Sequence, residues 1–456
     1  MKQLSEMSLT ELISPKGIEC ACGKNHCMAI DRVEIGAKTI ELLPDILEDL
    51  HINKPFLISD QNTAKAAFKY LLPVLEENNI KYESFQFFSQ HLEPDEESLG
   101  GIAMNYDPSC DGILAVGSGV INDLGKAFSY VTQLPQISIA TAPSMDGYGS
   151  NNASMIQNRL KVSLYYECPR AIVADTRILQ EAPFQMLQAG VGDMLAKYVS
   201  LTEWRISNLI TGEYYCDNIA ELIRSSLKDI LEVADDLLKT DAEAIEKVFI
   251  GLLYTGLAMG YAGISRPASG LEHYFSHVWE MMSLERNKAV ELHGIQVAIG
   301  TLLTFQIWQK LKLYQPNKEK AEEFIKSFDQ KKWELMLKRV YGQTASQEII
   351  KTAIAEDRNC PKNHAKRLEI IISKWPKILE IVAEEMPSYQ YLLEIMEKLD
   401  MPLRPEQIGF TAKDTHDALI ASREVRNKYV SSSLLWDLGL LYEIEFPEES
   451  GFKGLD

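Results

Sequence analysis

From about Asp31 to Ala182 short apolar runs alternate with helix-like stretches, and this alternation constrains the fold more tightly than any other feature of the chain. It is the pattern of parallel strands joined by crossover helices. Phe56-Leu-Ile-Ser-Asp60 reads as a strand ending in a carboxylate, followed by a helix from Asn62 through Leu72. Gly112-Ile-Leu-Ala-Val116, Gln136-Ile-Ser-Ile-Ala140 and Ala171-Ile-Val-Ala-Asp175 read as further strands. Beyond Asp175 the periodicity is helical to about residue 430, with no Gly, Ser or Pro linker at the joint. The expected organisation is an α/β domain over residues 1–183 and an all-α domain over 184–456, with the boundary near Pro183. A chain of 456 residues is long enough for two buried cores.

The polar loops fall where an open α/β sheet places ligands, at the C-terminal ends of strands. Asp60 could hold a ribose hydroxyl there, or could simply cap the following helix. Gly117-Ser-Gly119-Val-Ile-Asn-Asp123-Leu-Gly-Lys126 turns from strand into helix. Its glycines let backbone amides approach a diphosphate, whose charge the helix N-terminus favours. It is neither the three-glycine Rossmann fingerprint nor a P-loop. Thr141-Ala-Pro-Ser144-Met-Asp146-Gly-Tyr-Gly-Ser150 follows the next strand and would form a second wall of the same site.

Three of the eight histidines lie between Ser269 and Gly294: His273, His277 and His293. His273 and His277 are four apart, which on a helix stacks them on one face. Any one of them could be a satisfied polar residue; together, on neighbouring helices, they form a candidate metal site. A catalytic metal commonly takes three protein ligands and leaves one position open, so a carboxylate is the natural partner of two imidazoles. Asp193, in Gly190-Val-Gly192-Asp193-Met-Leu-Ala-Lys197, is an available one.

The balance of 46 basic against 65 acidic residues, a formal charge of −19, argues against nucleic acid and anionic membrane surfaces as partners. The seventeen uncharged residues from Val248 to Ile264, with Gly256-x-x-x-Gly260, read as a buried helix with close helix packing rather than a membrane span. Seven cysteines and an N-terminus without an apolar signal segment lead us to expect reduced thiols and a cytoplasmic protein. Cys20-Ala-Cys22-Gly-Lys-Asn-His26-Cys27 carries enough donors for a structural zinc, but its spacing suits a tight reduced turn better. The tail from Pro447 reads as a frayed end.

Taken in order, Asp60, Gly117-Ser-Gly119-Val-Ile-Asn-Asp123-x-x-Lys126, Thr141-x-x-Ser144-x-Asp146, Gly192-Asp193-x-x-x-Lys197, Glu272-His273-x-x-x-His277 and His293-Gly294 resemble the glycerol-1-phosphate dehydrogenase family. Its bacterial, AraM-type branch is the most similar. That family sits in the group of iron-dependent alcohol dehydrogenases, glycerol dehydrogenase and dehydroquinate synthase. The resemblance implies a dehydroquinate synthase-like fold: an N-terminal α/β domain for NAD or NADP, and a helical domain binding metal and substrate. It implies that Asp60 holds the adenosine ribose and that Gly117, Ser118, Gly119, Val120, Ile121, Asn122 and Asp123 hold the diphosphate. Thr141, Ala142, Pro143, Ser144 and Ser150 would complete the dinucleotide site. Asp193, His273 and His293 would ligate one divalent metal, zinc or nickel or iron.

Asp146, Asp193 and His277 would contact the substrate and serve catalysis, with His277 relaying a proton. The implied reaction is reversible reduction of dihydroxyacetone phosphate, a small phosphorylated three-carbon substrate, to sn-glycerol 1-phosphate by a homodimer. Glycerol dehydrogenase, without a phosphate site, and a non-catalytic metal-binding relative are the alternatives. Arg159, Lys161 and Arg266 are candidate phosphate donors, or else solvated charges.

Overall fold

The computed structural model describes residues 2–89 and 91–446; the tail from Pro447 lies outside the described residues. Two compact units are present. The first takes the chain through Gln157 together with 161–194 and 216–268; the second takes 158–160, 195–215 and the chain from Ser269 onward. The strands stop ahead of Pro183, and the first unit runs on past that point to include helices.

In the first unit, β1 (Arg32–Gly36), β2 (Pro55–Asp60), β3 (Glu83–Phe87), β4 (Gly112–Gly117), β5 (Gln136–Ala140) and β8 (Ala171–Asp175) form a parallel sheet. Its order is β1-β8-β5-β4-β2-β3, and β6 (Asn152–Gln157) with β7 (Leu160–Tyr165) makes a separate ribbon. The central strands are buried on both faces, which is why they read as nearly unbroken apolar runs. Leu57, Leu114, Ile137 and Val173 pack on one side; Phe56, Ile58, Ile113 and Ala115 pack on the other. The edge strand β3 and the ribbon strand β7 are only partly buried and carry polar residues, so neither stands out as a run in the sequence.

The crossover helix that follows β2, α1 (Gln61–Glu77), contains Pro73 and continues past the expected stop at Leu72. A helical proline removes one N–H, here the donor to the Lys69 carbonyl. Leu71 and Leu75, both buried, hold the helix against the sheet on either side of the break. The next helix that concerns the site, α2 (Gly119–Thr132), leaves β4 through Ser118.

Further along the chain are α3 (Phe184–Leu195), α4 (Lys197–Thr211), α5 (Asp217–Glu232) and α6 (Ala242–Ala262). The uncharged stretch from Val248 lies in α6 as far as Ala262 and is largely buried there, and no helix of the described residues is long and apolar enough to cross a membrane. The α6 glycines do permit close packing, but not against one kind of partner. A side chain on Gly251 would meet Ile230 of α5, one on Gly256 would meet the backbone of Asp146 and Gly149, and one on Gly260 would meet Met28. Much of the contact is therefore helix against loop, with the loop after β5 seated directly on α6.

The second unit holds α7 (Leu271–Glu285), α8 (His293–Lys312) and the short α9 (Ser431–Asp437). Gly300 of α8 lies so near the Glu272 carbonyl that a Cβ would stand 2.5 Å from it. The separation of these helices is thus set by backbone contact. The start of α7 is fixed by two buried carboxylates: Glu272 Oε1 accepts the Gly270 N–H (2.7 Å) and Glu203 Oε2 accepts the Leu271 N–H (2.9 Å). These supply acceptors for amides that the helix itself cannot satisfy. The second oxygen of Glu203 accepts the Ser431 N–H at the start of α9 (2.8 Å).

In the first unit, α3 meets the loop after β5 just as closely, since a Cβ on Gly190 would fall 1.9 Å from the Pro143 carbonyl oxygen. Gly190→Ala is therefore expected to destabilise the protein by about 1–3 kcal/mol through overpacking. A thermal melt showing an unchanged midpoint would contradict that contact.

Candidate functional site

The register pairs Gly117 with Ala140 and Ile58 with Ala115, so β2, β4 and β5 bring their C-terminal ends side by side. Asp60, the turn at Ser118 and the loop from Thr141 accordingly share one edge of the sheet. Asp60 caps α1, its Oδ1 accepting the N–H groups of Asn62 (2.7 Å) and Thr63 (2.9 Å). A ribose contact would have to coexist with that cap.

Ser118 precedes α2, whose first amides have no carbonyl partner within the helix. A side chain on Gly119 would have only Met145 Cγ near it, at 3.7 Å, so space remains beside this turn. Gly117 is glycine for another reason, because a Cβ there would strike Ile121 at 2.5 Å. The Ser118 and Ser144 hydroxyls are 2.5 Å apart and join the two loops.

Several motif side chains hold the loops rather than face them. Asn122 Oδ1 accepts from the Ser138 hydroxyl (2.6 Å), and Asp123 Oδ2 accepts the Ser154 N–H (2.9 Å). Lys126, 1% exposed, donates to the Gly147 carbonyl (2.6 Å), the Ser150 hydroxyl (3.1 Å) and the Asn152 carbonyl (2.9 Å). Burial lowers the pKa of this ammonium from its ordinary value. Buried Tyr148 donates to the Ala142 carbonyl (2.9 Å) and packs on Phe249 of α6. Ser150 is buried within the same network. Asp146 stands at the turn of the loop and donates its N–H to Asp193 Oδ2 (3.0 Å), which links two of the expected catalytic residues within this unit.

In the second unit the three histidines converge. The ring centroids of His273 and His293 are 5.2 Å apart, those of His277 and His293 5.7 Å, and those of His273 and His277 6.4 Å. His273 and His277 are buried on α7, while His293, the first residue of α8, is partly exposed. Each Nδ1 faces a carboxylate. Glu272 Oε1 lies 2.8 Å from Nδ1 of His273. Glu280 spans the other two, with Oε2 3.5 Å from His277 Nδ1 and Oε1 3.3 Å from His293 Nδ1. An ionised carboxylate only accepts, so Glu272 favours the proton on Nδ1 of His273 and leaves Nε2 as its lone-pair nitrogen, while Nδ1 of His293 also has the Ser276 hydroxyl at 3.0 Å.

Such carboxylate-held imidazoles are the donor set that a divalent metal takes. A second possibility is that His277, Glu280 and His293 ligate directly, because one donor atom from each lies within 4.8 Å of the others. Glu280 was not singled out in the sequence, although it stands three residues after His277 and seven after His273, on their face of the helix. Of the candidate phosphate donors, Arg159 is exposed and donates to the Leu284 carbonyl (2.9 Å). Arg266 is 1% exposed, so it is not a solvated surface charge.

Residues 34–183 match the iron-containing alcohol dehydrogenase family. Glycerol dehydrogenase of Schizosaccharomyces pombe has the same fold, with a TM-score of 0.60 at 16% identity over 93% of this chain and 92% of that one. The fold is therefore that of the alcohol dehydrogenase group. Within it, a glycerol-1-phosphate dehydrogenase (NAD(P)+) of Halalkalibacterium halodurans is 34% identical over 295 residues, 64% of this chain and 74% of the relative. One from Bacillus licheniformis is 33% identical over 341 residues, 72% of this chain and 84% of the relative. The chain belongs to the glycerol-1-phosphate dehydrogenase family.

The capping role of Asp60 can be measured directly. Asp60→Ala should lower stability by about 1 kcal/mol, whereas Asp60→Asn, which still caps, should lose only a fraction of that. Equal losses in chemical denaturation would mean that the Oδ1 bonds to Asn62 and Thr63 contribute little.

Proposed function

We propose that this chain catalyses the reversible, NAD(P)-dependent reduction of dihydroxyacetone phosphate to sn-glycerol 1-phosphate. The observation that carries the reading is the carboxylate-held histidine cluster, found in a chain of this family. When bound, the dinucleotide supplies the hydride and a divalent metal supplies positive charge beside the reacting oxygen. The proposed ligands are Asp193, His273 and His293, a donor set that suits zinc, nickel or ferrous iron.

The chain's own residues would then divide the work. The Gly117 to Asp123 turn offers backbone amides to the diphosphate, with Val120 and Ile121 forming the first turn of its helix. Thr141, Ala142, Pro143, Ser144 and Ser150 form the neighbouring wall, held in place by Lys126 and Tyr148. The Asp60 carboxylate favours a ribose bearing a 2′-hydroxyl over one bearing a 2′-phosphate. Asp146 orients the substrate, while His277, whose Nδ1 is held by Glu280, exchanges a proton with the substrate oxygen through Nε2. A homodimeric assembly and a cytoplasmic location belong to the same reading.

Mixing the purified chain with dihydroxyacetone phosphate, NADH and either zinc or nickel should give loss of reduced-cofactor absorbance. Dihydroxyacetone itself should be a poor substitute. His293→Ala should abolish turnover and lower metal content by one equivalent while NADH binding is retained. Wild-type activity with unchanged metal in that variant would sink the ligand assignment.

Glu280 separates the two metal readings. If it orients the imidazoles, Glu280→Gln keeps the metal and loses about 10–100-fold in activity. If it is itself a ligand, the variant loses the metal. On the orienting reading, His277→Ala likewise retains metal but loses on the order of a hundredfold or more in rate. Metal stoichiometry and steady-state rate on the same preparation decide between them.

A further inference from the structure

Outside the site described above, the first unit contains a second cluster of metal-binding side chains. Cys20, Cys22, His26 and Cys216 each place a donor atom within 4.8 Å of the others, and Cys20, His26 and Cys216 are buried. The sequence offered Cys27 for this group, but Cys27 is exposed and its Sγ turns to the Pro15 carbonyl. Its place is taken by Cys216, which arrives from 190 residues beyond His26.

We propose that Cys20, Cys22, His26 and Cys216 form a structural zinc site. A tetrahedral zinc with sulfur at about 2.3 Å and nitrogen at about 2.0–2.1 Å separates two sulfurs by about 3.8 Å, and sulfur from nitrogen by about 3.6 Å. Here the Sγ atoms of Cys20 and Cys216 are 3.6 Å apart. His26 Nε2 lies 3.5 Å from Cys22 Sγ and 3.8 Å from Cys216 Sγ. The sulfurs are too far apart for a disulfide, near 2.05 Å, and have the spacing that a shared ion imposes.

Two local groups would support thiolates here. Asn218 Nδ2 donates to Cys20 Sγ (3.2 Å), and Cys216 is the N-cap residue of α5, where the helix end favours negative charge. The ring of Tyr261 lies 5.3 Å from that of His26, and its hydroxyl donates to the Leu12 carbonyl. The left-handed turn at Gly23, with φ +84°, returns the chain from Cys22 toward His26. Four protein donors leave no open position, so the role is to staple the N-terminal segment to α5 rather than to react. Thiolate donors also favour zinc over hard, oxygen-preferring ions.

The test uses the full-length protein purified without chelator, with zinc content measured by mass spectrometry and the metal then exchanged for cobalt(II). The wild type should hold one zinc equivalent more than Cys216→Ser and should show thiolate-to-cobalt charge-transfer bands in the near ultraviolet. His293→Ala, altered in the other unit, should keep those bands; their survival there would separate this site from the histidine cluster. If Cys216→Ser does not fold, the wild-type cobalt spectrum still decides. Absence of the bands in wild type, equal zinc in wild type and Cys216→Ser, or a disulfide between Cys20 and Cys216 would each overturn the proposal.

Discussion

The loops of the first unit depend on one buried cation. Lys126 buries its ammonium and binds two carbonyls and a hydroxyl between Gly147 and Asn152. Burying a charge this completely is costly unless every donor is used, so the loop must keep its shape for the folded state to persist. Asp146 and Ser144 lie just upstream, and α3 and α6 press on the same loop through Gly190 and Gly256. The loop is thus clamped from within by charge and from outside by backbone contact, which preorganises whatever its polar groups bind.

Much of this was legible in the sequence, for reasons that particular residues make clear. Strands buried on both faces, such as Ile113 to Val116, announce themselves as apolar runs. The edge strand Glu83–Phe87 does not, because one side is left to solvent. His273 and His277 could be paired by helical spacing and His293 added from the neighbouring helix, but Glu280 could not be told from the many other acidic residues until its oxygens were seen against two imidazoles. Cys216 was out of reach altogether, since chain separation says nothing about which distant thiol completes a cluster. Asp60 was ambiguous in the sequence, and its capping role is plain once its Oδ1 partners are known.

The histidine cluster shows how a site can be specified by groups that need not touch a ligand. Glu272 and Glu280 sit against the ring nitrogens, and Glu272 in particular favours the His273 tautomer whose lone pair is on Nε2. The close approach of Gly300 to the Glu272 carbonyl then fixes the spacing of the two helices that bear the rings. Protonation and distance are set by separate contacts, so each can be altered without the other.

The end of the chain has no recognisable motif, yet Glu203 gives it a hold on the chemistry. One carboxylate oxygen secures the first turn of the histidine-bearing helix and the other secures Ser431. Drift, cleavage or truncation near Ser431 would remove one of the amides that hold this buried carboxylate at the root of α7. The segment at Ser431 therefore acts as a keystone, since its loss would reach the helix that bears two of the imidazoles without altering any residue beside them.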